Sequence, residues 1–343
     1  MHRKESKEEF YIEIKFFKNG PFDGLCQASH SIEPLMKRLI ILNPRSRHGK
    51  AGRIFEALRP ELERKLGSFE LYLTQGPGDA TKKVRSVLSG GGVDQILIAG
   101  GDGSINEAFN GYWIEGVISN PGVPLGIINL GTGGDFYRTV TGCNEDYEAA
   151  LIGNRSRLVD AAKVTPGDGI PRYFLNISSV GMAGEMLRNL KASFFQNGAS
   201  AYFFHTLKTL LGYRAKRVRV DLVDETGAPR SLEVDMLNLF VCNGRYSGGG
   251  MQWAPTAQLD DGLLRLTVIS GPRKWPLIAQ SGKLYKGEVE TFPGAITFAV
   301  SGVTVRSAYS VSLETDGEIV ELAPEAGIEF HFEVLPRVFP LVL

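Results

Sequence analysis

The sequence predicts an α/β plus β protein, with an N-terminal doubly wound parallel sheet and a C-terminal β-sandwich. Between residues 38 and 156, short unbroken apolar runs alternate with amphipathic helical segments, as in parallel strands covered on both faces. From residue 157 to 324, many short segments alternate between apolar and polar residues and end at Gly, Pro or Asp-Gly, which is typical of antiparallel sheets. A chain of 343 residues is long enough for two domains. Residues 1–37 are predicted as an extension of uncertain fold, and the tail, about 325–343, is expected to pack back on the first domain.

Four strands define the first domain, and they are predicted at residues 39–42, 71–74, 96–99 and 125–129. The helix after the first strand has an apolar face of Ile54, Leu58, Leu62 and Leu66, and a later helix is expected to begin with Asp79 as its N-cap. In a parallel doubly wound sheet the C-terminal strand ends share one edge, where ligands bind at a switch in strand order. The loops that begin near residues 43, 74, 100 and 131 are therefore expected to converge.

The segment 95–110 carries the most informative single motif, a buried strand followed by a glycine turn and a helix. Gly100, Gly101 and Gly103 lack a Cβ, so the backbone can bring its N–H groups against an anion at the helix N-terminus. Asp102 would repel a bare phosphate, but a Mg²⁺ between this carboxylate and the phosphate oxygens would remove the conflict. Read locally, the same residues also fit a strand-to-helix turn in which Asp102 and Ser104 only cap the helix.

Two further loops add to this edge. Residues 43–50 carry Arg45, Arg47 and Lys50 after the first strand, without the spacing of a Walker A motif. Residues 131–136 form another glycine-rich turn after the fourth strand. A solvated basic loop or a simple turn would explain each one alone, whereas several polar turns on one edge are what a nucleotide needs.

Composition limits the classes of partner. Lys plus Arg and Asp plus Glu are balanced at 38 each, so no global charge favours nucleic acid. Cys26, Cys143 and Cys242 have no metal-ligand spacing, which predicts reduced thiols in a cytoplasmic protein. The N-terminus does not resemble a secretory signal, and no apolar run is long enough to span a bilayer. A lipid substrate would therefore require transient, peripheral contact with the membrane surface.

The second domain is predicted from strands at residues 159–164, 173–178, 218–223, 232–241, 263–269, 295–300 and 311–313. Helices are expected at 183–190 and 201–213. The latter has a broad apolar face, including Phe204, Leu207 and Leu211, that could cover the sandwich or touch acyl chains, with core packing favoured.

Five motifs in a fixed order carry a family likeness: Asn43-Pro44 with its basic loop, 100–107, 131–136, 259–263 and 315–318. Together they resemble the diacylglycerol kinase catalytic domain family, which includes bacterial lipid kinases and the sphingosine and ceramide kinases. The resemblance covers about residue 38 to the C-terminus. It implies ATP and Mg²⁺ in a cleft between an α/β domain and a β-sandwich, with a lipid hydroxyl as the acceptor.

The resemblance also implies roles for individual residues. The implied nucleotide site comprises Asn43, Pro44, Arg45, Ser46, Arg47, Thr74, Gly100, Gly101, Asp102, Gly103, Ser104, Ile105, Asn106, Thr132 and Asp135. Asp102 would hold the Mg²⁺ that accompanies ATP, aided by Asp135. Asp261 and the main-chain oxygens of Gln258 and Leu263 would hold a second, structural Mg²⁺. Without the family, Asp260-Asp261-Gly262 reads as a hairpin turn.

Asp316 matches the general base of the family, and Glu318 would position it or share metal contacts. Read locally, residues 311–322 form a β-hairpin with Asp-Gly at its turn. One position departs from the family, because Gly134 replaces an Asn that commonly precedes Asp-Phe in the third motif.

The leading hypothesis is an ATP-dependent kinase of diacylglycerol or a similar lipid. The alternatives are a kinase of a soluble substrate such as NAD and a catalytically silent nucleotide or lipid sensor; a homodimer is compatible with each.

Overall fold

The computed structural model describes residues 36–144, 146–167, 169–193, 199–271, 273–321 and 328–343. The extension predicted at residues 1–37 lies almost entirely outside the described residues. Residues 37–343 form one compact unit. In the described part of the chain, no helix combines the length and the apolar character needed to cross a bilayer.

The first half is a parallel sheet flanked by helices, as the sequence predicts. Its strands are β1 (Arg38–Leu42), β2 (Phe69–Leu73), β3 (Gln95–Gly100), a small hairpin of β4 (Trp113–Ile114) and β5 (Val117–Ile118), and β6 (Leu125–Asn129). Strands β2, β1, β3 and β6 lie side by side in that order, and every pairing is parallel. The order reverses between β1 and β3, so the ligand edge lies at the C-terminal ends of these two strands.

The helices of this half are α1 (Ser46–Gly49), α2 (Ala51–Leu66), α3 (Asp79–Gly90), α4 (Asp102–Gly111), α5 (Asp135–Cys143) and α6 (Tyr147–Ile152). Two details differ from expectation. The buried face of α2 centres on Phe55, Leu62 and Leu66, with Ile54 only half-buried. Asp79 is the first residue of α3, and Gly78 is the N-cap. The Asp79 carboxylate accepts from the Gln75 N–H at 2.7 Å, outside the helix.

The second half is a β-sandwich with accompanying helices. Its strands are β7 (Ser156–Pro166), β8 (Arg172–Phe174), β9 (Ile177–Gly181), β10 (Lys216–Asp224), β11 (Pro229–Cys242), β12 (Tyr246–Ser247), β13 (Met251–Gln252), β14 (Leu264–Ser270), β15 (Ala295–Ser307), β16 (Leu313–Thr315), β17 (Glu318–Val320) and β18 (Ile328–Val342). Alternate residues of these strands, such as Val218, Val220 and Leu222, point into one core. The alternation of apolar and polar residues in the sequence therefore marks the face of these strands that is buried in the core.

The helices in the described residues of this half are α7 (Met182–Lys191), α8 (Ala199–Gly212), α9 (Lys274–Ala279) and α10 (Gly282–Tyr285), followed by a 3₁₀ turn at Val289–Thr291. A second apolar cluster forms where Leu210 and Tyr213, at the end of α8, meet Phe240, Trp253 and Leu277. The apolar face predicted for α8 is thus divided, because Phe204 and Leu211 are 52% and 49% exposed.

The tail strand β18 joins the two halves. It pairs with β15 and β7 through most of its length, and Leu341 near its end lies beside Leu125 of β6 in parallel orientation. A single sheet of fourteen strands consequently runs through the described residues of both halves.

One predicted strand is divided in the structure. Residues 173–178 were expected to be continuous, but β8 ends at Phe174 and β9 begins at Ile177. The N–H groups of Leu175, Asn176 and Ile177 all donate to the Asp316 carboxylate. The strand is interrupted here because its backbone donors turn toward a side chain.

Candidate active site

The four predicted loops do meet at the C-terminal edge of the parallel sheet. Leu130 N–H donates to the Gly100 carbonyl at 2.9 Å, and Asn43 N–H donates to the Ala99 carbonyl at 3.0 Å. Thr74 N–H donates to the Leu42 carbonyl at 2.9 Å. These main-chain bonds continue the strand pairings by one residue and fix the start of each loop.

A pocket of about 180 Å³ lies at this edge. Its lining comprises Asn43, Arg45, Thr74, Gly76, Pro77, Ala80, Ser104 and Glu107. Four of these residues belong to the predicted nucleotide site. Asn43 Nδ2 donates to Ser104 Oγ at 3.0 Å, which links the first two motifs. The pocket is smaller than is usual for a whole drug-sized ligand, so it can enclose only one portion of a nucleotide.

Glycines allow the loops to approach each other. A Cβ on Gly131 would lie 2.3 Å from the Gly101 Cα, so the two turns are in backbone contact. A Cβ on Gly100 would lie 2.5 Å from Ser104 Oγ. Side chains at these positions would force the loops apart, which explains why the sequence has glycine at the end of β3 and after β6.

Asp102 connects the second and third motifs. Asp102 begins α4, but its carboxylate caps the following helix, α5. Asp102 Oδ2 accepts from the Asp135 N–H at 3.2 Å, and Oδ1 accepts from the Phe136 N–H at 3.0 Å. A carboxylate at a helix N-terminus is stabilised by the unpaired N–H groups and the helix dipole. Neither reading of the sequence foresaw that Asp102 caps α5 and not its own helix.

Asp135 is the second carboxylate of this cluster and is buried. It accepts from Arg138 Nη1 at 2.8 Å and from the Gly249 N–H at 2.9 Å. Burial raises the pKa of Asp135, the bond from Gly249 opposes the rise, and the Asp102 charge adds to it. The sequence did not indicate Arg138 or the glycine turn between β12 and β13 as part of the site, because each is unremarkable without its position.

Asp102 fits a Mg²⁺ ion, because its two hydrogen bonds come from main-chain N–H groups, whereas Asp135 is already paired with Arg138 and would join such an ion only if that pair opened. Mg²⁺ binds through one or two carboxylates while keeping several waters. Gly133 leaves room beside them, since a Cβ there would lie 3.0 Å from Asp102 Oδ2. Burial is the main cause of the raised pKa of Asp135, and the negative charge of Asp102 is a smaller cause that a cation would offset.

Asp316 lies at the tip of the hairpin between β16 and β17, as the local reading predicted. Asp316 and Gly317 have φ of +47° and +83°, the sign required at both central residues of a type I′ turn. The carboxylate accepts main-chain hydrogen bonds from Leu175 (3.0 Å), Asn176 (3.0 Å) and Ile177 (2.9 Å). Burial raises the pKa of Asp316, and these hydrogen bonds oppose the rise.

A fourth hydrogen bond ties Asp316 to the nucleotide motif. Asn106 Nδ2 of α4 donates to Asp316 Oδ2 at 2.9 Å, although the residues are 210 positions apart. Asn106 lies one helical turn after Asp102. The hairpin of the sandwich and the glycine turn of the parallel sheet therefore face each other directly.

Glu314 is an acidic partner of this turn that the sequence did not indicate. Glu314 is buried, and its Oε2 accepts from the Gly317 N–H at 2.9 Å, so it supports the turn that carries Asp316. Burial raises the pKa of Glu314 to about 7. Glu318 is exposed at the start of β17. The sequence favoured Glu318 because it stands in the motif, whereas Glu314 looked like an ordinary strand residue.

The remaining predicted nucleotide residues surround the same edge. Pro44, Ser46 and Arg47 follow β1, and Ser46 Oγ lies 3.5 Å from the place of a Cβ on Gly100. Ile105 is buried within α4, and Thr132 is exposed on the third loop.

Gly134 has a structural reason in this chain. Its φ is +62°, and a Cβ there would lie 2.5 Å from Asn129 Nδ2. Asn129 Oδ1 accepts from the Gly131 N–H at 3.2 Å, so its carboxamide is held inside the loop. The space that an Asn at position 134 would use is already occupied by the amide of Asn129.

The residues implied for a structural Mg²⁺ lie in the loop that precedes β14. Asp261 Oδ2 accepts from Arg265 Nη2 at 2.6 Å, and Oδ1 accepts from the Leu263 N–H at 3.1 Å. Gln258 is exposed in the same loop. Among the described residues, no three His, Cys, Asp or Glu side chains are arranged to hold a metal ion. The donor set around Asp261 does not fit a divalent cation, because a guanidinium already neutralises its carboxylate.

A larger hollow of about 460 Å³ lies over β10, β15 and β18. Its charged groups are paired, with Arg217 bound to Glu233 and Arg306 to Glu329. None of the predicted site residues lines it, so we do not assign the active site there.

Comparisons with known proteins agree with this architecture. A family model described as the diacylglycerol kinase catalytic domain matches residues 37–164, and one described as the YegS C-terminal NAD kinase beta sandwich-like domain matches residues 176–343. A probable lipid kinase YegS-like protein of Citrobacter koseri is 30% identical over 273 residues, which are 77% of this chain and 83% of that protein.

A probable lipid kinase YegS of Escherichia coli is also 30% identical, over 78% of this chain and 84% of that protein. Among solved structures, a putative diacylglycerol kinase from Bacillus anthracis superposes with a TM-score of 0.65 at 25% identity, covering 90% of this chain and 98% of that one. The chain therefore belongs to the diacylglycerol kinase catalytic domain family, with a C-terminal domain of the YegS type.

Proposed function

We propose that this protein is an ATP-dependent lipid kinase, which transfers the γ-phosphoryl group of ATP to a hydroxyl of diacylglycerol or a similar lipid. The observation that carries the proposal is the hydrogen bond of 2.9 Å between Asn106 Nδ2 and Asp316 Oδ2. It brings a carboxylate able to accept a proton to the helix whose N-terminus suits a phosphate. Relatives with the same two domains are named probable lipid kinases.

Asp316 acts as the general base. Three of its four hydrogen bonds come from the main chain and fix the carboxylate, whereas the fourth comes from the side chain of Asn106. An acceptor hydroxyl can replace the Asn106 amide at Oδ2, because only a side-chain rotation is required. The hydroxyl oxygen then attacks the γ-phosphorus, its proton passes to Asp316, and ADP leaves.

The glycine turns hold the phosphates. The N-terminus of α4 provides main-chain N–H groups, and the contact between Gly101 and Gly131 leaves no side chain in their way. Asn43, Thr74 and Ser104 line the adjoining pocket for the rest of the nucleotide. Asp102 would hold a Mg²⁺, joined by Asp135 where its pair with Arg138 opens, and that ion would neutralise charge on the phosphate oxygens.

A lipid acceptor requires contact with a membrane surface, and the exposed side of α8 with α9 is suited to it. Phe204, Lys208 and Leu211 are exposed at helical spacing along α8, and Trp275 of α9 is 75% exposed. Lys274 Nζ donates to the Leu211 carbonyl at 2.7 Å, so the two helices present one surface. Exposed apolar rings among lysines favour the boundary between headgroups and acyl chains.

The proposal is tested with labelled ATP and a panel of acceptors: diacylglycerol, sphingosine and ceramide in detergent micelles, and NAD as a soluble acceptor. We expect label in one lipid and none in NAD. Label in NAD with none in any lipid would reject the proposal in favour of a soluble-substrate kinase.

Nucleotide binding is measured in parallel. Tight ATP binding without turnover on any acceptor would instead favour a sensor. A Glu225→Gln variant serves as a control, because it changes an exposed carboxylate in the turn between β10 and β11 that belongs to none of the predicted site residues.

A further inference from the structure

The loop before β14 contains a partly buried ion pair in the place where the family resemblance implies a metal. Asp261 and Arg265 are four residues apart, and their side chains are 21% and 14% exposed. Arg265 Nη2 lies 2.6 Å from Asp261 Oδ2. The other carboxylate oxygen accepts from the Leu263 N–H at 3.1 Å. Each oxygen of Asp261 therefore has a donor from the chain itself.

The same guanidinium reaches the main chain of this loop. Arg265 Nη2 also donates to the Thr256 carbonyl at 3.3 Å, and Arg245 Nε donates to the Ala257 carbonyl at 2.8 Å. A hard divalent cation in such a loop would join a carboxylate to main-chain carbonyl oxygens. Arg265 joins the same two kinds of oxygen, with N–H groups in a planar arrangement in place of metal bonds.

The neighbouring acids are also satisfied without a metal. Asp160 accepts from the Gly262 N–H at 2.7 Å and from the Arg337 N–H at 2.8 Å. Asp260 pairs with Arg157 at 3.1 Å. Arg337 donates through two guanidinium nitrogens to the Asp260 carbonyl. No carboxylate of this cluster thus depends on an external cation for a partner.

We propose that Arg265 replaces the structural Mg²⁺ of this loop, so that the fold of this chain does not depend on a metal at Asp261. Arginine stays protonated at any pH at which proteins are stable. A divalent cation bound to Asp261 would lie beside this permanent positive charge in a partly buried site, where repulsion is weakly screened. Metal binding would therefore require that Arg265 leave its place.

Thermal unfolding of the full chain without nucleotide tests the proposal. We expect the wild-type Tm to be the same in EDTA and in MgCl₂ when ionic strength is matched. The variant Arg265→Gln leaves the Asp261 carboxylate without its cation, so its Tm should fall in EDTA and recover by several degrees in a saturable manner with Mg²⁺. The double variant Asp261→Asn with Arg265→Gln should not respond to Mg²⁺.

The wild-type measurement decides the question even if Arg265→Gln does not fold. A saturable rise of the wild-type Tm with Mg²⁺ that Asp261→Asn abolishes would overturn the proposal. The same titration on Asp102→Asn excludes a contribution from the nucleotide site. Because unfolding is followed without ATP or lipid, the outcome is independent of the proposed kinase reaction.

Discussion

Replacing Asp316 with Asn should reduce stability as well as catalysis, and the loss of stability could not be predicted from the sequence. The wild-type carboxylate accepts four hydrogen bonds, two at each oxygen. An Asn oxygen placed at Oδ1 keeps the bonds from Asn176 and Ile177. Its amide nitrogen then faces the Leu175 N–H, and only the Asn106 side chain can rotate to offer an acceptor.

The expected loss of stability comes from the Leu175 N–H, which belongs to the main chain and cannot rotate to another acceptor. A buried N–H without an acceptor costs about 1–3 kcal/mol, so Asp316→Asn should lower the free energy of unfolding by roughly that amount. The opposite orientation of the amide would leave two main-chain donors unpaired and is less favourable. Loss of proton acceptance should reduce turnover by about 10² to 10⁴-fold.

Urea unfolding and labelled-ATP transfer are measured on the same preparations of Asp316→Asn, Glu225→Gln and wild type. Glu225→Gln changes an exposed group in the turn between β10 and β11 and should leave the free energy of unfolding unchanged within about 0.5 kcal/mol. An Asp316→Asn protein as stable as wild type would refute the hydrogen-bond account. Full transfer activity would remove Asp316 from the role of base.

Three further predictions concern other parts of the molecule. Gly134→Asn should lower the free energy of unfolding by about 1–3 kcal/mol, because the new Cβ meets the Asn129 amide. Adding Asn129→Ala should recover most of this loss. If urea unfolding shows that the effects of the two substitutions are strictly additive, residues 134 and 129 are not in contact. Burial raises the pKa of Glu314 in the folded state to about 7, above its ordinary value of 4.5. The contribution of protonated Glu314 to the free energy of unfolding is therefore fully present below pH 4.5 and is lost as the pH rises through about 7. Glu314→Gln should remove that decline, and unchanged pH profiles of unfolding would exclude Glu314 as its source. Trp275→Ser should reduce the fraction of protein that sediments with anionic vesicles, whereas Val117→Ser, at another exposed position, should not. Equal binding by both variants would exclude the surface of α8 and α9 as the membrane contact.

The parallel half could be predicted closely because its signals are local. Strands β1, β3 and β6 are buried on both faces and therefore appear as short apolar runs. Glycine at the end of β3 and after β6 indicated close turns, and parallel pairing brought those turns to one edge. The convergence of Asn43, Ser104 and Gly131 follows from this topology.

Other features depended on partners far along the chain. The interruption between β8 and β9 arises from Asp316, more than 130 residues later, which attracts three N–H groups out of the strand pattern. Glu314 lies in a three-residue strand whose residues are all buried, so alternation gave no sign of its burial. Asp261 was recognisable from its motif, but its neutralisation by Arg265 required knowledge of side-chain positions.

The α/β plus β architecture, the order of the motifs and the edge at which they meet could be predicted from the order of residues alone, because helix and strand periods are short-range properties of the chain. The donors that surround each carboxylate depend instead on the folded arrangement: Asp102 caps α5, Asp316 binds the β8–β9 break and Asn106, and Asp261 binds a guanidinium. Hydrogen bonds and ion pairs act over a few ångströms in space, and residues that lie that close can be more than two hundred positions apart in sequence.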